Sequence, residues 1–201
     1  MKRKLSVYIT ITCILLFFCL AIWKGTILHE KYPDPQIVTY QYGETVLVDG
    51  YEISFTGWQW GDSKVISTIL PDFDIDYTDE NGDVYESRVG LIDLTITKVS
   101  DNGDNIDLAN IGFSSGAWGN QFDMDLFYRL NPTLNDMVLD LEVGNIQQVT
   151  LPLTLNETHF PQEQWENIDD REFYINFQYY PEHIRFECPM SEVGKSVVLY
   201  S

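Results

Sequence analysis

The sequence predicts an all-β protein, an antiparallel two-layer β-sandwich, carried behind one N-terminal transmembrane helix. Three observations predict it. Past residue 36 the chain divides into about ten short runs that alternate apolar with polar residues, which is the period-two signature of strands buried on one face. No long stretch there repeats apolar residues at the three-to-four spacing of an amphipathic helix. Finally, Leu5–Trp23, LSVYITITCILLFFCLAIW, runs 19 residues without a charge.

The apolar run comes first. As a helix at about 1.5 Å per residue it would reach roughly 28 Å, close to the hydrocarbon thickness of a bilayer. Lys2, Arg3 and Lys4 precede it, whereas only Lys24 and Lys31 follow closely. That bias holds the N-terminus in the cytoplasm and sends the remainder across. A cleaved signal peptide would end in small residues, but this run ends in Leu20-Ala21-Ile22-Trp23, whose bulky last pair suits an interfacial collar. A lipoprotein signal needs small residues before its Cys, and neither Cys13 nor Cys19 has them. The expected organisation is therefore a basic cytoplasmic tail (1–4), a signal anchor (5–23), a linker (24–35) holding Pro33 and Pro35, and an extracytoplasmic sandwich (36–201).

The rest of the chain is long enough to bury a real core. Setting aside the four cations at the anchor, eight Lys and Arg face 31 Asp and Glu. Such a surface repels phosphates, which excludes nucleic acid, and it favours cationic peptides, basic protein patches and divalent cations. Cys188 is the one thiol outside the anchor, so no intrachain disulfide can staple the domain. It continues the alternation of Arg185-Phe186-Glu187 and reads as a buried small hydrophobe.

In order, Ile37–Tyr42 is a first strand. Thr45–Val48 and Tyr51–Trp58 flank Asp49-Gly50, a two-residue hairpin turn whose positions tolerate positive φ. Tyr51, Ile53 and Phe55 face one way, Glu52, Ser54 and Thr56 the other. Ser63–Leu70 fits either period. Phe73–Thr78 and Val84–Ser87 read as a hairpin around Asp79-Glu80-Asn81-Gly82-Asp83. Val89–Val99 is the clearest strand, with Ile92, Leu94 and Ile96 alternating with Asp93, Thr95 and Thr97. A Gly-rich stretch, Gly112–Gly119, leads to Phe122–Phe127, and Leu130–Asp136 is a loop around Pro132. In Gln147–Leu155 the N–H that Pro152 lacks places the strand at a sheet edge or a bulge. Glu163–Ile168, after Pro161, is a short helix. Phe173–Tyr179 and Ile184–Cys188 pair across Pro181, and Ser196–Tyr200 closes the chain as a last strand.

The run Leu91-Ile92-Asp93-Leu94-Thr95-Ile96-Thr97, then Asp101-Asn102-Gly103-Asp104, then Ile111-Gly112-Phe113, resembles the immunoglobulin-like domains of unknown function in membrane-anchored and lipoprotein-type proteins of Gram-positive bacteria. Tyr42-Gly43-Glu44-Thr45-Val46 with Asp49-Gly50-Tyr51-Glu52-Ile53 is similar to the first hairpin of that group. The resemblance covers about residues 40–113. It implies an immunoglobulin-like sandwich and an extracytoplasmic address, and brings no catalytic residues.

Three constellations are candidates for chemistry. Gly112-Phe113-Ser114-Ser115-Gly116 matches the nucleophile elbow G-x-S-x-G, with His159 and His183 downstream as nominal bases. That motif needs a strand-to-helix turn, and Ala117-Trp118-Gly119 does not start a helix, so a Gly/Ser loop is the better reading. Asp72, Asp74, Asp76, Asp79 and Asp83 are the densest carboxylates and offer the hard oxygen ligands that Ca²⁺ takes, although Tyr77 stands where an EF-hand loop needs Gly. A solvated hairpin is the plainer account. Trp58 and Trp60, in Trp58-Gln59-Trp60 between Gly57 and Gly61, and Trp118, between Ala117 and Gly119, could offer rings to a ligand, and core packing at a strand end is the alternative that a sandwich favours. Gly194-Lys195-Ser196 ends like a phosphate loop but has Pro189 where the first Gly belongs.

With these motifs incomplete, the expectation is a membrane-tethered, non-catalytic binding module. Its partners are the membrane through Leu5–Trp23 and a further membrane or cell-surface protein, or a cationic peptide. The alternatives are a surface hydrolase using Ser114 and a Ca²⁺-stabilised adhesive module.

Overall fold

A computed structural model describes residues 2–190, with side chains from residue 14 onward. The expected strand Ser196–Tyr200 and the Gly194-Lys195-Ser196 segment lie outside the described residues. The chain divides into two units, residues 1–36 and 37–201.

The first unit is one helix, α1 (Lys2–Lys31). It runs on past Trp23 through most of the expected linker, because no proline falls between Lys24 and Lys31; within it the Thr26 hydroxyl donates to the Ile22 carbonyl (3.0 Å). It stops just before Pro33, as the residue ahead of a proline is pushed out of the helical region. Among the described residues no helix is long and apolar enough to cross a membrane. Leu5–Cys13, the first nine residues of the apolar run, lie outside those whose side chains are described.

The second unit is built on two sheets. The first joins β2 (Thr45–Val48), β3 (Tyr51–Gly61), β4 (Ser87–Lys98) and β7 (Ile146–Asn156) in the order β7-β4-β3-β2. The second joins β1 (Gln36–Tyr40), β5 (Gly112–Ser115), β6 (Trp118–Gln121), β8 (Tyr174–Gln178) and β9 (Glu182–Glu187) in the order β1-β9-β8-β5-β6. The inner faces pack on one another: Phe55 of β3 meets Phe186 of β9 at 5.8 Å between ring centroids, and Trp60 meets Phe173 at 5.4 Å. Ile92, Leu94, Ile96, Leu151, Leu153 and Ile175 fill the space between, none more than 1% exposed. Each such side chain contributes about 1.5–3 kcal/mol. The architecture is a β-sandwich.

Local chemistry explains the hairpins. Asp49 (φ 47°) and Gly50 (φ 78°) supply the two positive dihedrals of a tight turn between β2 and β3. A Cβ on Gly50 would stand 2.6 Å from the Ser100 and Asn102 carbonyls, so Gly is needed there for space as well as torsion. Between β3 and β4 the register shifts by one residue at Thr56. That bulge lets Phe55 and Trp58, three apart, both point inward.

Four expectations change. Phe73–Thr78 and Val84–Ser87 form only a two-residue ribbon, Tyr77–Thr78 with Val84–Tyr85, and Ser87 already belongs to β4. Ser63–Leu70 resolves into a helix, α2 (Lys64–Ile69). Phe122–Phe127 becomes α3 (Met124–Leu130), because the Asp123 carboxylate caps it by accepting from the Leu126 N–H at 2.9 Å. The helix at Glu163–Ile168 is shorter, Gln162–Trp165, followed by a 3₁₀ turn at Ile168–Asp170. Ile66 of α2 and Leu126 of α3 cover Val89 and Leu91 on the outer face of β4, a second small core. The rest of that outer face is open.

Candidate functional site

The open part of the outer face forms a cleft of about 700 Å³. Its floor is Thr56 and Gly57 on β3, Asp93 on β4, and Gln148 and Thr150 on β7; its wall is Leu130–Thr133, the turn that leaves α3. One side chain fixes that wall. Asn131, 6% exposed, donates from Nδ2 to the Thr150 carbonyl and accepts at Oδ1 from the Thr150 N–H, both at 2.8 Å. It thus takes the two backbone groups that a neighbouring strand would take. Two residues on, Pro152 has no N–H, and its carbonyl accepts from Asp123 N at 3.2 Å. The edge position expected for Pro152 is where β7 lies, and its free edge is closed by these contacts.

The floor is organised around Asp93. The Thr150 hydroxyl donates to Asp93 Oδ1 (2.7 Å) and the Thr56 hydroxyl to the Asp93 carbonyl (3.1 Å). The carboxylate lies across Gly57, where any Cβ would collide with Oδ2. The Thr150 hydroxyl thus spends its proton on a neighbouring side chain of the floor, and the Thr56 hydroxyl spends its proton on the backbone.

A second groove, of about 570 Å³, runs beside Arg88. Glu86, Glu157, Glu166 and Asp169 rim it over Tyr85, Phe160 and Trp165. Arg88 fills its centre, 3.3 Å from Asp169 Oδ1, 3.7 Å from Glu86 and 5.5 Å from the Trp165 ring centroid.

The residues singled out by sequence are placed as follows. Trp58 and Trp60 are 4% and 8% exposed, stacked on one another at 5.9 Å with 16° between planes. They are core and offer no face to a ligand, a correction due to the bulge that turns both inward. Trp60 Nε1 donates to Asp169 (2.7 Å), whereas the Trp58 N–H is buried without a partner. Trp118, partly exposed, leans on Phe160 and Phe173 and is not beside that pair as a platform. Among the described residues no three His, Cys, Asp or Glu side chains converge to hold a metal. Asp79 turns inward to its own loop, accepting from the Asn81 and Asp83 N–H groups at 2.8 and 2.9 Å, and these hold its carboxyl below the usual range. Asp74 accepts from the Asp76 N–H at 2.9 Å. Asp83 joins the Asp79 loop through its backbone, its carbonyl accepting in turn from the Asp79 N–H at 3.0 Å.

Ser114 lies within β5, paired with Tyr174, and not on a strand-to-helix turn. Its Oγ accepts from Asn176 Nδ2 at 3.0 Å, and Asn176 Oδ1 faces His183 Nε2 at 2.7 Å. A carboxamide thus stands between hydroxyl and imidazole and cannot take the serine proton. His159 caps a 3₁₀ turn, its Nδ1 accepting from the Asn156 N–H. Burial pushes both imidazoles below their ordinary 6.5, with Arg185 adding to the shift of His183.

Sequence reasoning missed Lys98, which is 5% exposed with Nζ 3.1 Å from the Tyr51 hydroxyl and 4.2 Å from the ring centroid. Its place as the last residue of an inward-alternating strand was the available signal. It also missed Asn131, whose role depends on a contact 19 residues away.

The two packed sheets make the second unit a β-sandwich domain. The chain belongs to the family described as Domain of unknown function (DUF5028), matched over residues 37–184. No curated protein matches it. A solved structure, an uncharacterized β-sandwich protein from Clostridium difficile, is 12% identical over 77% of this chain and 93% of that one, with a TM-score of 0.37. A likeness of that size places no residue.

Proposed function

We propose that the protein is a membrane-tethered, extracytoplasmic binding module, with a sandwich of the immunoglobulin-like kind, that recognises a partner without transforming it. One observation carries the tether. On α1, Ile14, Leu15, Leu16, Phe17, Phe18, Leu20, Ile22 and Trp23 are each at least half exposed, Phe17 reaching 70%. They are spread all round the helix, the pattern of a segment whose solvent is lipid. In water such a surface would drive aggregation. The basic residues Lys2, Arg3 and Lys4 support an orientation with the sandwich outside. The occupied environment of Ser114 supports a non-catalytic role, and the acidic surface supports a basic partner, either a membrane or cell-surface protein or a cationic peptide.

Protease added to intact cells should digest the sandwich while a cytoplasmic marker survives. Survival of both would remove the reading. The intact mass of the mature protein should include residues 1–23, and loss of that segment would replace the tether by secretion.

A further inference from the structure

We propose that Asn102 is a site of spontaneous covalent modification: its carboxamide cyclises onto the Gly103 amide nitrogen, expels ammonia and opens with water to aspartyl and isoaspartyl forms. The fold leaves this Asn-Gly pair reactive and restrains the other. The chain has two such pairs, Asn81-Gly82 and Asn102-Gly103. In both, the residue after Asn has no Cβ to crowd the attack of its nitrogen on the neighbouring carboxamide carbon. Both lie in loops and both are exposed, so access to water does not separate them.

Hydrogen bonding does. At the first pair the Asn81 carboxamide donates to Asp79 Oδ2 (3.1 Å), and the Gly82 N–H donates to the Asp79 carbonyl (3.1 Å). The Asn81 N–H is held as well, by Asp79 Oδ1 at 2.8 Å. Electrophile and nucleophile are each tied to Asp79, and the turn must open before they can meet. At the second pair the Asn102 N–H donates to the Ser100 hydroxyl (3.1 Å), which fixes the backbone alone. Neither the Asn102 carboxamide nor the Gly103 N–H has a partner among the described residues.

In the reaction the Gly103 nitrogen gives up its proton and bonds to the Asn102 side-chain carbon. The bond from that carbon to Nδ2 breaks, and the proton leaves with the nitrogen as ammonia. Water then opens the cyclic imide at either carbonyl. Opening at the side-chain carbonyl leaves the main chain as it was, with a carboxylate in place of the carboxamide. Opening at the main-chain carbonyl routes the chain through the side chain and lengthens it by one carbon. That second product does not fit unchanged. A Cβ on Gly50 would come within 2.6 Å of the Asn102 carbonyl, and one on Gly103 would collide with the Asp49 carbonyl. The Val99 and Ser100 N–H groups also share the Gly50 carbonyl, at 2.9 and 3.1 Å. The loop is thus laid directly on the turn between β2 and β3, and an extra main-chain carbon lifts it off.

The experiment holds the full chain in detergent micelles at pH 8 and 37 °C, with samples digested by trypsin at intervals and weighed by mass spectrometry. Cleavage after Lys98 and Arg129 puts Asn102 in residues 99–129, and cleavage after Lys64 and Arg88 puts Asn81 in residues 65–88. The first peptide should gain about 1 Da and split into two products of equal mass, with fragment ions placing the change at Asn102. In the native protein this gain should run at least about tenfold faster than the same gain in residues 65–88, because the Asp79 bonds must break first there. In urea, where those bonds are gone, the two rates should converge. Asn102→Gln, whose longer side chain would have to close a larger ring, should abolish the gain; it should fold as before, since the Asn102 carboxamide bonds to nothing it would lose. Equal native rates at the two pairs, a gain in residues 99–129 that falls on another residue, or an Asn102 that reacts in urea but not in the native protein would each overturn the proposal.

Discussion

Asn176 is fully buried, and its carboxamide can be oriented without ambiguity. The Gly112 carbonyl lies 3.3 Å from Nδ2, so Oδ1 must face His183, and His183 must carry its proton on Nε2. Replacing His183 by Phe leaves a buried acceptor unpaired and should cost about 1–3 kcal/mol in urea melts, whereas His183→Gln, which keeps a donor, should cost much less. The same residue gives a pH dependence. Its native pKa lies below 6.5, so as pH falls through 6.5 the unfolded chain binds the proton first and stability drops. His159 acts in the same sense. The melting temperature should therefore be lower at pH 5 than at pH 7, and the double variant His159→Gln, His183→Gln should show a shallower decline; an unchanged slope would assign the effect to carboxylates. The buried Cys188 was readable from alternation alone, and burial, together with the neighbouring Glu187, pushes its thiol far up. The Asn176 network was not, because its members are 62 and 7 residues from one another's partners.

Among elements, the strands that cross the sandwich with one face in the core were legible, because burial imposes period two on sequence. β4 and β7 pair through eleven successive positions, Ser87 with Asn156 through Thr97 with Ile146. Where an element is held by a cap or a loop instead, the period carries no message. Met124–Leu130 depends on the Asp123 cap, and residues 73–85 are held by local carboxylate contacts such as those of Asp79. Two predictions belong here. Asn131→Ala should lower stability by about 2–3 kcal/mol, since it removes bonds to Thr150 N, Thr150 O and Phe127 O, and Asn131→Asp should recover only the acceptor part. EDTA should leave the thermal midpoint unchanged, because the Asp79 loop is closed by its own N–H groups; a fall of several degrees would restore Ca²⁺ as a ligand.

At the scale of the molecule, charge is the property most completely readable from sequence, at −19 overall. Self-repulsion of that size opposes compactness, so denaturation midpoints should rise as NaCl is raised from about 0.02 to 0.3 M, where the screening length shortens from roughly 20 Å to 6 Å. A flat response would show that the carboxylates are already compensated pair by pair. The position of the cleft was not readable, since it joins residues from β3, β4, β7 and the turn after α3. One extra residue, Thr56, is what lets Trp58 and Trp60 share the inner face with Phe55 despite their odd spacing from it. Remove that single codon and Phe55 opposite Leu94 and Gly57 opposite Asp93 become successive rungs, with both indoles still inside. The sandwich should therefore stay folded in the deletion variant, losing only the Thr56 hydroxyl contact to the Asp93 carbonyl, and a collapse of its thermal transition would show that the bulge itself is needed.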